Sequence, residues 1–286
     1  MSDVSIARTE LEPSVGKILP EKHFTVTDAL LEDYFEGLAL ERGPFDRGET
    51  PVPSMIATDA DNYFSEGAFR QQRGHLWMRQ EWRFTEPLQR NETYVTQGRI
   101  EDIYRKRDRT VVNTAVTLSD SQGAQILSFN HHQSFLLDAP VEEVQFREPN
   151  KKPGMRKFIV PDGEPLAGFD CDITLEMCGQ YFHGNKSYHT DLQASKELGF
   201  GDVVVGGRMT MAYIGHLLDG HFGDRWFASG RLDLKFTNPC WPNDHLGIKG
   251  VAMGPSAEDP ARESVFVWIE KDDGTIVIVA NASALR

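Results

Sequence analysis

Two segments of the chain carry apolar residues at three- and four-residue spacing, each directly after a threonine. Behind Thr27 these residues are Leu30, Leu31, Tyr34, Phe35 and Leu38. Threonine is a favourable N-cap because its hydroxyl accepts a hydrogen bond from a free amide of the first helical turn. The pattern predicts one helix after Thr27 and another after Thr174, with Gly37 and Gly184 near their ends.

Alternating apolar and polar positions predict long strands at the end of each half. They cover residues 93–103, 110–119 and 124–137, and then 231–237, 245–253, 263–271 and 275–285. Before the second set of strands, residues 209–222 form a strongly apolar helical stretch. A helix of this kind is buried, so we expect the sheet to wrap around it. The first half has only a short counterpart, around residues 58–64.

The two halves repeat one another at a nearly constant offset. Residues 79–87 and 231–239 share Arg, an acidic residue, Phe-Thr and Pro in the same order, at an offset of 152 (231 minus 79). The same offset relates residues 91–92 to 243–244. A helix cradled in an antiparallel sheet, present twice, predicts an α+β double hot-dog. Two such sheets can pair edge to edge, which removes one exposed edge from each.

This reading divides the chain into four parts. Residues 1–19 are a lead-in and residues 20–138 the N-terminal hot-dog domain. Residues 139–165 hold five prolines and little periodicity, as a linker does. Residues 166–286 are the C-terminal hot-dog domain. We expect the acidic first twelve residues to be part of the lead-in and not a signal peptide.

Composition narrows the classes of function. Lysine and arginine number 30 against 43 acidic residues, a net charge of −13 that argues against a nucleic-acid binder. The three cysteines, Cys171, Cys178 and Cys240, are odd in number and lack a C-x-x-C pair, so neither a disulfide framework nor a structural zinc site is supported. A cytoplasmic location fits this cysteine usage best. The sequence contains no apolar stretch of the roughly 20 residues that a membrane span needs.

The strongest candidate for chemistry is a histidine placed just before a helix. His189 lies in the polar segment 184–191, and the apolar run 203–205 then leads to Gly206 and Gly207. A helix start offers free N–H groups and a partial positive charge. A histidine beside such donors can move a proton next to a developing oxyanion. The alternative is a turn histidine that bonds the backbone.

The second half resembles the MaoC-like, or (R)-specific enoyl-CoA hydratase, family. The resemblance rests on Thr174, Gly184, His189, Asp191, Gly199-Phe200 and Val205-Gly206-Gly207. The first half, with its Arg105-Lys106-Arg107 turn, resembles the catalytically reduced hot-dog of two-domain MaoC-like and fatty-acid-synthase-type dehydratases. The resemblance implies a hydro-lyase that acts on an acyl thioester, needs no cofactor or metal, and forms a homodimer.

The turn departs from the family pattern Gly-Asp-x-Asn-Pro-x-His-x-Asp. Asn185 stands where the catalytic aspartate is expected, and the turn is one residue shorter. An amide can orient water or the thioester but cannot act as a base; alternatively, Asn185 caps the preceding helix. If it only orients, His189 performs both proton steps or a carboxylate from elsewhere assists. Asp191 and Asp202 are the nearby candidates.

The remaining candidates would bind the substrate. The Gly207 amide would hold the thioester oxygen and Gly206 would allow close approach, unless the two glycines only permit tight packing. Tyr188, Ser187 and Arg208 flank the site and could instead support the loop. The Arg105-Lys106-Arg107 turn could grip the phosphates of coenzyme A, unless it is merely solvated. The equal alternative is the basic linker set, Lys151, Lys152, Arg156 and Lys157.

These features are compatible with three candidate functions. The first is a hydro-lyase that adds water to a 2-enoyl-CoA or removes it from a 3-hydroxyacyl-CoA, on coenzyme A or an acyl-carrier protein. The second is a hot-dog thioesterase, and the third is a non-catalytic acyl-CoA-binding subunit. We expect the segment 43–69 to leave room for a bulky acyl group. His131 and His132 are neighbours in a predicted strand and face opposite ways, so no metal site is expected there.

Overall fold

The structure, a computed structural model, describes residues 12–46, 51–138, 144 and 158–286. Most of the predicted lead-in and most of the predicted linker lie outside the described residues. The same holds for the basic linker residues Lys151, Lys152, Arg156 and Lys157.

The described chain forms helices and strands in two similar series. The helices are α1 (Asp28–Leu38), α2 (Phe64–Gly67), α3 (Leu175–Tyr181), α4 (Leu192–Glu197), α5 (Gly207–Phe222) and α6 (Asp224–Ser229), with 3-10 helices at Gly43–Asp46 and Ser54–Ala60. The strands are β1 (Lys22–Thr25), β2 (Leu76–Phe84), β3 (Thr93–Lys106), β4 (Arg109–Ser119), β5 (Gln125–Phe135), β6 (Glu164–Pro165), β7 (Phe169–Asp172), β8 (Arg231–Phe236), β9 (His245–Pro255), β10 (Arg262–Lys271) and β11 (Ile276–Leu285).

All strands join one antiparallel sheet of 11 strands. The first half runs β1-β3-β4-β5-β2, and the second runs β8-β11-β10-β9 with β7 paired to β9. The two halves therefore share one strand order, which confirms the double hot-dog. Each predicted strand is present, whereas β1, β2, β6 and β7 were not predicted as strands. Of these, β1, β6 and β7 are only two to four residues long.

The repeated segments lie side by side at the centre of the sheet. β2 pairs with β8 so that Arg79 lies opposite Lys235 and Trp82 opposite Leu232. The Arg79 guanidinium donates two hydrogen bonds to Asp233, from Nε at 2.7 Å and from Nη2 at 2.8 Å. The two half-sheets thus form one continuous sheet, as predicted for two hot-dog domains that pair edge to edge.

The predicted helix caps are confirmed, and Gly37 lies near the end of α1, as predicted. Thr27 accepts a hydrogen bond from the Leu30 amide at 3.1 Å, and Thr174 caps α3 in the same way. Gly37 is followed by Leu38, the last residue of α1. Gly37 lies where α1 meets α3: a Cβ there would stand 2.5 Å from the Tyr181 amide nitrogen. Glycine is needed for this close approach of two helices.

The predicted central helix is α5, and the sheet wraps around it. Trp82 on β2 donates to the sulfur of Met211 on α5 at 3.4 Å. The first half has the 54–60 3-10 helix in place of a long central helix. Its Met55 and Ile56 are fully buried, and Met55 packs against Gly215 of α5. The space expected for a bulky acyl group in this segment is therefore at least partly filled.

The described residues contain neither a membrane-spanning helix nor a cluster of metal ligands. None of their helices has the length and apolar character required to cross a membrane. No group of three or more potential protein ligands in the described part could hold a metal ion.

A buried polar cluster lies where α5 meets the 54–60 3-10 helix. The Asp219 Oδ2 accepts a hydrogen bond from the Ser54 amide at 3.1 Å. Asp219 Oδ1, Ser54 Oγ and Tyr34 OH are buried without a partner among the described residues. Burial raises the pKa of Asp219 to about 7, although hydrogen bonds from Ser54 oppose the shift. The folded protein thus keeps this carboxyl protonated in mildly acidic solution.

The Asp219 carboxyl makes stability fall as the pH rises. The unfolded pKa is about 3.9, below the folded value, so between these pH values only the folded state binds the proton. Asp219→Asn removes the titration and keeps an oxygen for the Ser54 amide. Between about pH 4 and pH 7, the free energy of unfolding of the wild type should fall relative to the variant by about 4 kcal/mol, because about three pKa units separate the folded and unfolded states. Urea denaturation at several pH values measures this, and parallel pH profiles would contradict it.

Candidate active site

His189 lies in a short hydrogen-bonded turn between α3 and α4. The Ser187 hydroxyl accepts from the His189 amide at 3.2 Å, and the Thr190 hydroxyl accepts from the Ser187 amide at 2.9 Å. Asp191 caps α4 by accepting from the Ala194 amide at 2.8 Å. The polar side chains of the turn therefore hold the loop, which is the supporting role considered for Ser187.

The imidazole of His189 is oriented by the backbone of the following segment. Its Nδ1 lies 2.7 Å from the carbonyl oxygen of Val204. A carbonyl only accepts, so Nδ1 carries the proton and Nε2 keeps its lone pair. The ring lies between Phe182, stacked at 4.8 Å, and Tyr188 at 3.8 Å. Nε2 has no hydrogen-bond partner among the described residues and is the atom that can accept a proton.

The surroundings of His189 keep it neutral. Burial lowers its pKa to about 3, with a further lowering by His75 and Arg208 that the Val204 carbonyl opposes. His75 is itself buried beyond Tyr188, and burial lowers its pKa to about 4. The ring of Tyr188 separates the two histidines, at 4.8 Å from His75. At neutral pH, His189 is therefore a hydrogen-bond acceptor and not a charged group.

The start of α5 lies against the same aromatic ring that supports His189. A Cβ on Gly206 would stand closer than 3.0 Å to Phe182, and a Cβ on Gly207 would stand 3.0 Å from Trp77 Cε3. Both glycines are thus required by close packing. The Gly207 amide has no backbone partner in the described part of the chain. The Phe182 ring therefore contacts both His189 and Gly206, and Gly207 is the next residue of the chain.

The carboxylates considered from the sequence do not reach His189 in the described contacts. Asp191 caps α4 and pairs with Lys186 at 3.3 Å. Asp202 is exposed and accepts from the Val203 amide at 2.7 Å. Asn185 is exposed in the loop that ends α3, and its carbonyl accepts from Thr190. The C-cap of α3 is Phe182, and no described contact of the Asn185 side chain reaches that helix end or His189.

Arg208 ties the start of α5 to the first half. Its Nη1 donates to Asp59 Oδ1 at 2.9 Å and its Nη2 to the Asp61 carbonyl at 2.6 Å. Burial raises the pKa of Asp59, opposed by the adjacent Arg208. The Arg208 guanidinium is therefore already committed to an ion pair between the halves.

The predicted phosphate grip lies away from this site. Arg105 donates to Asp138 at 3.2 Å and to Thr110. Burial, with Lys235 and other nearby cations, lowers the pKa of Lys106. Leu234 is buried and Lys235 exposed, so alternation along β8 puts Lys235 on the face away from α5. The turn formed by Arg105, Lys106 and Arg107 is thus on the outer side of the sheet.

Several residues at the site were missed by the sequence analysis. They are Asp59, Asp61, His75, Trp77 and Phe182, together with His131, which was weighed only as a metal ligand. His131 and His132 do face opposite ways, as predicted: His131 binds Asp61, and His132 binds Glu81 and Tyr104. Asp59 and Asp61 belong to the short segment 58–64, and their partners Arg208 and His131 are distant in sequence, so no local pattern indicates these contacts.

Comparisons with solved structures identify the fold. The chain resembles a MaoC-like dehydratase with a TM-score of 0.72 and 14% identity, over 95% of this chain and 98% of that one. It resembles a double hot-dog protein of Mycobacterium tuberculosis with a TM-score of 0.60 and 14% identity, over 95% and 96%. A putative oleoyl thioesterase of Lactobacillus plantarum gives a TM-score of 0.56 and 11% identity, over 95% and 98%.

These comparisons confirm the double hot-dog fold that MaoC-like dehydratases have, and at such low identity they show the fold alone. The same fold appears in a putative thioesterase, so the fold does not decide the reaction. No family model matches the sequence, and no curated protein matches it significantly.

The contact between Gly206 and Phe182 gives a direct test of the site geometry. In Gly206→Ala the new methyl group displaces the Phe182 ring and with it His189, at a cost of about 1–3 kcal/mol from overpacking. The control is Gly220→Ala, where nothing lies within 4 Å of the added Cβ. Thermal unfolding should show a loss for the first variant and little change or a gain for the second. Equal melting temperatures would contradict the contact.

Proposed function

We propose that the protein is a hydro-lyase acting on a 2-enoyl or 3-hydroxyacyl thioester. The proposal is supported by the neutral imidazole of His189, which is held at Nδ1 by the Val204 carbonyl and stacks on Phe182, the ring that also contacts Gly206 next to the unpartnered Gly207 amide. A base next to an open backbone donor is the arrangement that addition of water to a conjugated thioester requires. The resemblance of the second half to the MaoC-like family points the same way.

The chemistry can be written with these groups. The Gly207 N–H donates to the thioester oxygen and draws electron density from the double bond. His189 Nε2 takes a proton from water as the oxygen of that water bonds to C3. The electrons of the double bond move to the thioester oxygen as an enolate, which Gly207 stabilises. Protonation at C2 restores the thioester, and dehydration is the reverse sequence. Loss of such an amide donor costs about 3 kcal/mol of barrier lowering.

A thioesterase is the second candidate, because a putative oleoyl thioesterase has the same fold. Hydrolysis requires attack at the thioester carbon, commonly assisted by a carboxylate beside it. Asp59, a carboxylate near the start of α5, is bound to Arg208. Two measurements with one enoyl-CoA distinguish the reactions. A loss of absorbance at the conjugated double bond indicates hydration, and release of a free thiol indicates hydrolysis. Tight binding with neither change would indicate the third candidate, a non-catalytic acyl-CoA-binding subunit.

His189→Ala tests the assignment of the base. We expect kcat/KM for hydration of an enoyl-CoA to fall by about 10²- to 10⁴-fold, the usual contribution of a general base. His245→Gln is the control. This histidine is partly exposed at the start of β9, where it pairs with Asp172 and Asp272. Unchanged turnover in His189→Ala, with normal folding, would show that the proton is taken by another group.

The basic turn makes a separate prediction about the carrier. If Arg105, Lys106 and Arg107 bind the phosphates of coenzyme A, their replacement by alanine raises KM for a CoA thioester. The KM for the matching N-acetylcysteamine thioester, which has no phosphate, should not change. If the ratio of KM for the CoA thioester to KM for the N-acetylcysteamine thioester stays within about twofold of the wild-type ratio, the turn does not bind the phosphates. The loss of one charge contact costs about 0.5–1 kcal/mol, which would change the ratio by more than this. The homodimer and the cytoplasmic location likewise stay predictions.

A further inference from the structure

Hydration must deliver a proton to C2, and the surroundings of His189 disfavour a positive charge on its ring. The only partner of its Nδ1 is a neutral backbone carbonyl, that of Val204. The positive charge of Arg208 and the second histidine, His75, both oppose a charge on the ring. His189 can accept a hydrogen bond from water, yet hydration also requires a proton at C2. A second group must therefore carry that proton.

A buried histidine-carboxylate pair from the first half lies near the start of α5, where Arg208 contacts Asp61. His131 Nδ1 lies 2.5 Å from Asp61 Oδ2, and the Asp61 side chain is only 4% exposed. Gln80 donates to the same carboxylate oxygen at 3.4 Å, and Arg208 donates to the Asp61 carbonyl. Asp61 is thus fixed in place by both halves of the chain.

The pair is connected to the site through Trp77. The indole stacks on the His131 ring at 4.3 Å, with 8° between the planes, and it packs against Gly207. His189 reaches Gly206 in a similar way, through Phe182. Each of the two histidines therefore stacks on an aromatic ring that contacts the Gly206-Gly207 segment. One comes from the second half and the other from the first.

The two histidines differ in what holds them. A carboxylate on Nδ1 stabilises an imidazolium and fixes the ring so that Nε2 can give or take a proton. A carbonyl on Nδ1 fixes the ring but supplies no charge. In the structure, His131 Nε2 lies 2.9 Å from Gln133 Oε1, an acceptor. With Asp61 on Nδ1, a proton on Nε2 would give the ring a positive charge that this carboxylate can balance.

We propose that His131, held by Asp61, is the second acid/base group of this site. The assignment rests on the hydro-lyase function proposed above. In hydration, His131 Nε2 leaves Gln133 and gives its proton to C2 of the enolate, while His189 receives the proton of the water. Product release and exchange with solvent then move one proton from His189 back to His131. The sum is one water added across the double bond, with no change in either histidine.

The matched control is supplied by the neighbouring residue. His132 also binds a carboxylate, Glu81, at 3.0 Å, but on the face of the sheet away from α5. His131→Gln and Asp61→Asn therefore remove the proposed pair, and His132→Gln removes a similar pair outside the site. Crotonyl-CoA and trans-2-decenoyl-CoA serve as probes, in water for rates and in D₂O for incorporation of deuterium at C2. Thermal unfolding of each variant verifies that it is folded.

The expected result is a fall in kcat of about 10²-fold or more for His131→Gln, with a smaller fall for Asp61→Asn. Exchange of the C2 hydrogen of a 3-hydroxyacyl-CoA with solvent should slow by the same factor, which a merely structural residue would not produce. His132→Gln should stay within about twofold. The assignment is overturned if folded His131→Gln hydrates and exchanges at the wild-type rate while His189→Ala is inactive. If the wild type converts neither probe, the hydro-lyase function itself fails, and this assignment fails with it.

Discussion

The pairing of β2 with β8 is the contact on which the site depends. It joins two half-sheets that would otherwise each expose an edge, and it places the repeated segments opposite one another. Trp77 lies at one end of β2 and Phe236 at the end of β8, and both pack against Gly207. The start of α5 is therefore enclosed by residues of both halves. Neither half alone could build this pocket.

The two histidines near the start of α5 differ in the group that contacts Nδ1. His189 is buried near positive groups with only a carbonyl on Nδ1, so it stays neutral. His131 has a fixed carboxylate on Nδ1. Hydration removes a proton from water and delivers a proton to C2. Two groups whose surroundings favour different protonation states suit these two tasks. The first half, expected to be catalytically reduced, thus supplies a functional group in our proposal even though it lacks a long central helix.

The sequence predicts the parts of this structure that depend on local pattern. The caps at Thr27 and Thr174, the helix α5 and the long strands follow from spacing, and the duplication follows from matches at one offset. Gly37 lies near the end of α1 as predicted, but its close contact with Tyr181 has no signal in the sequence, because a glycine between two helices looks the same as one that ends a helix. Asp61 and His131 are 70 residues apart and meet only in the folded sheet. No local pattern contains that contact.

The most direct measurement is a crystal structure with a bound 3-hydroxyacyl-CoA or an inert analogue of it. The account predicts the thioester oxygen within about 3.2 Å of the Gly207 nitrogen, and the C3 hydroxyl at a similar distance from His189 Nε2. C2 should face His131. An acyl group bound elsewhere, such as the groove between Leu40, Phe169 and His216 near the other end of α5, would contradict the account.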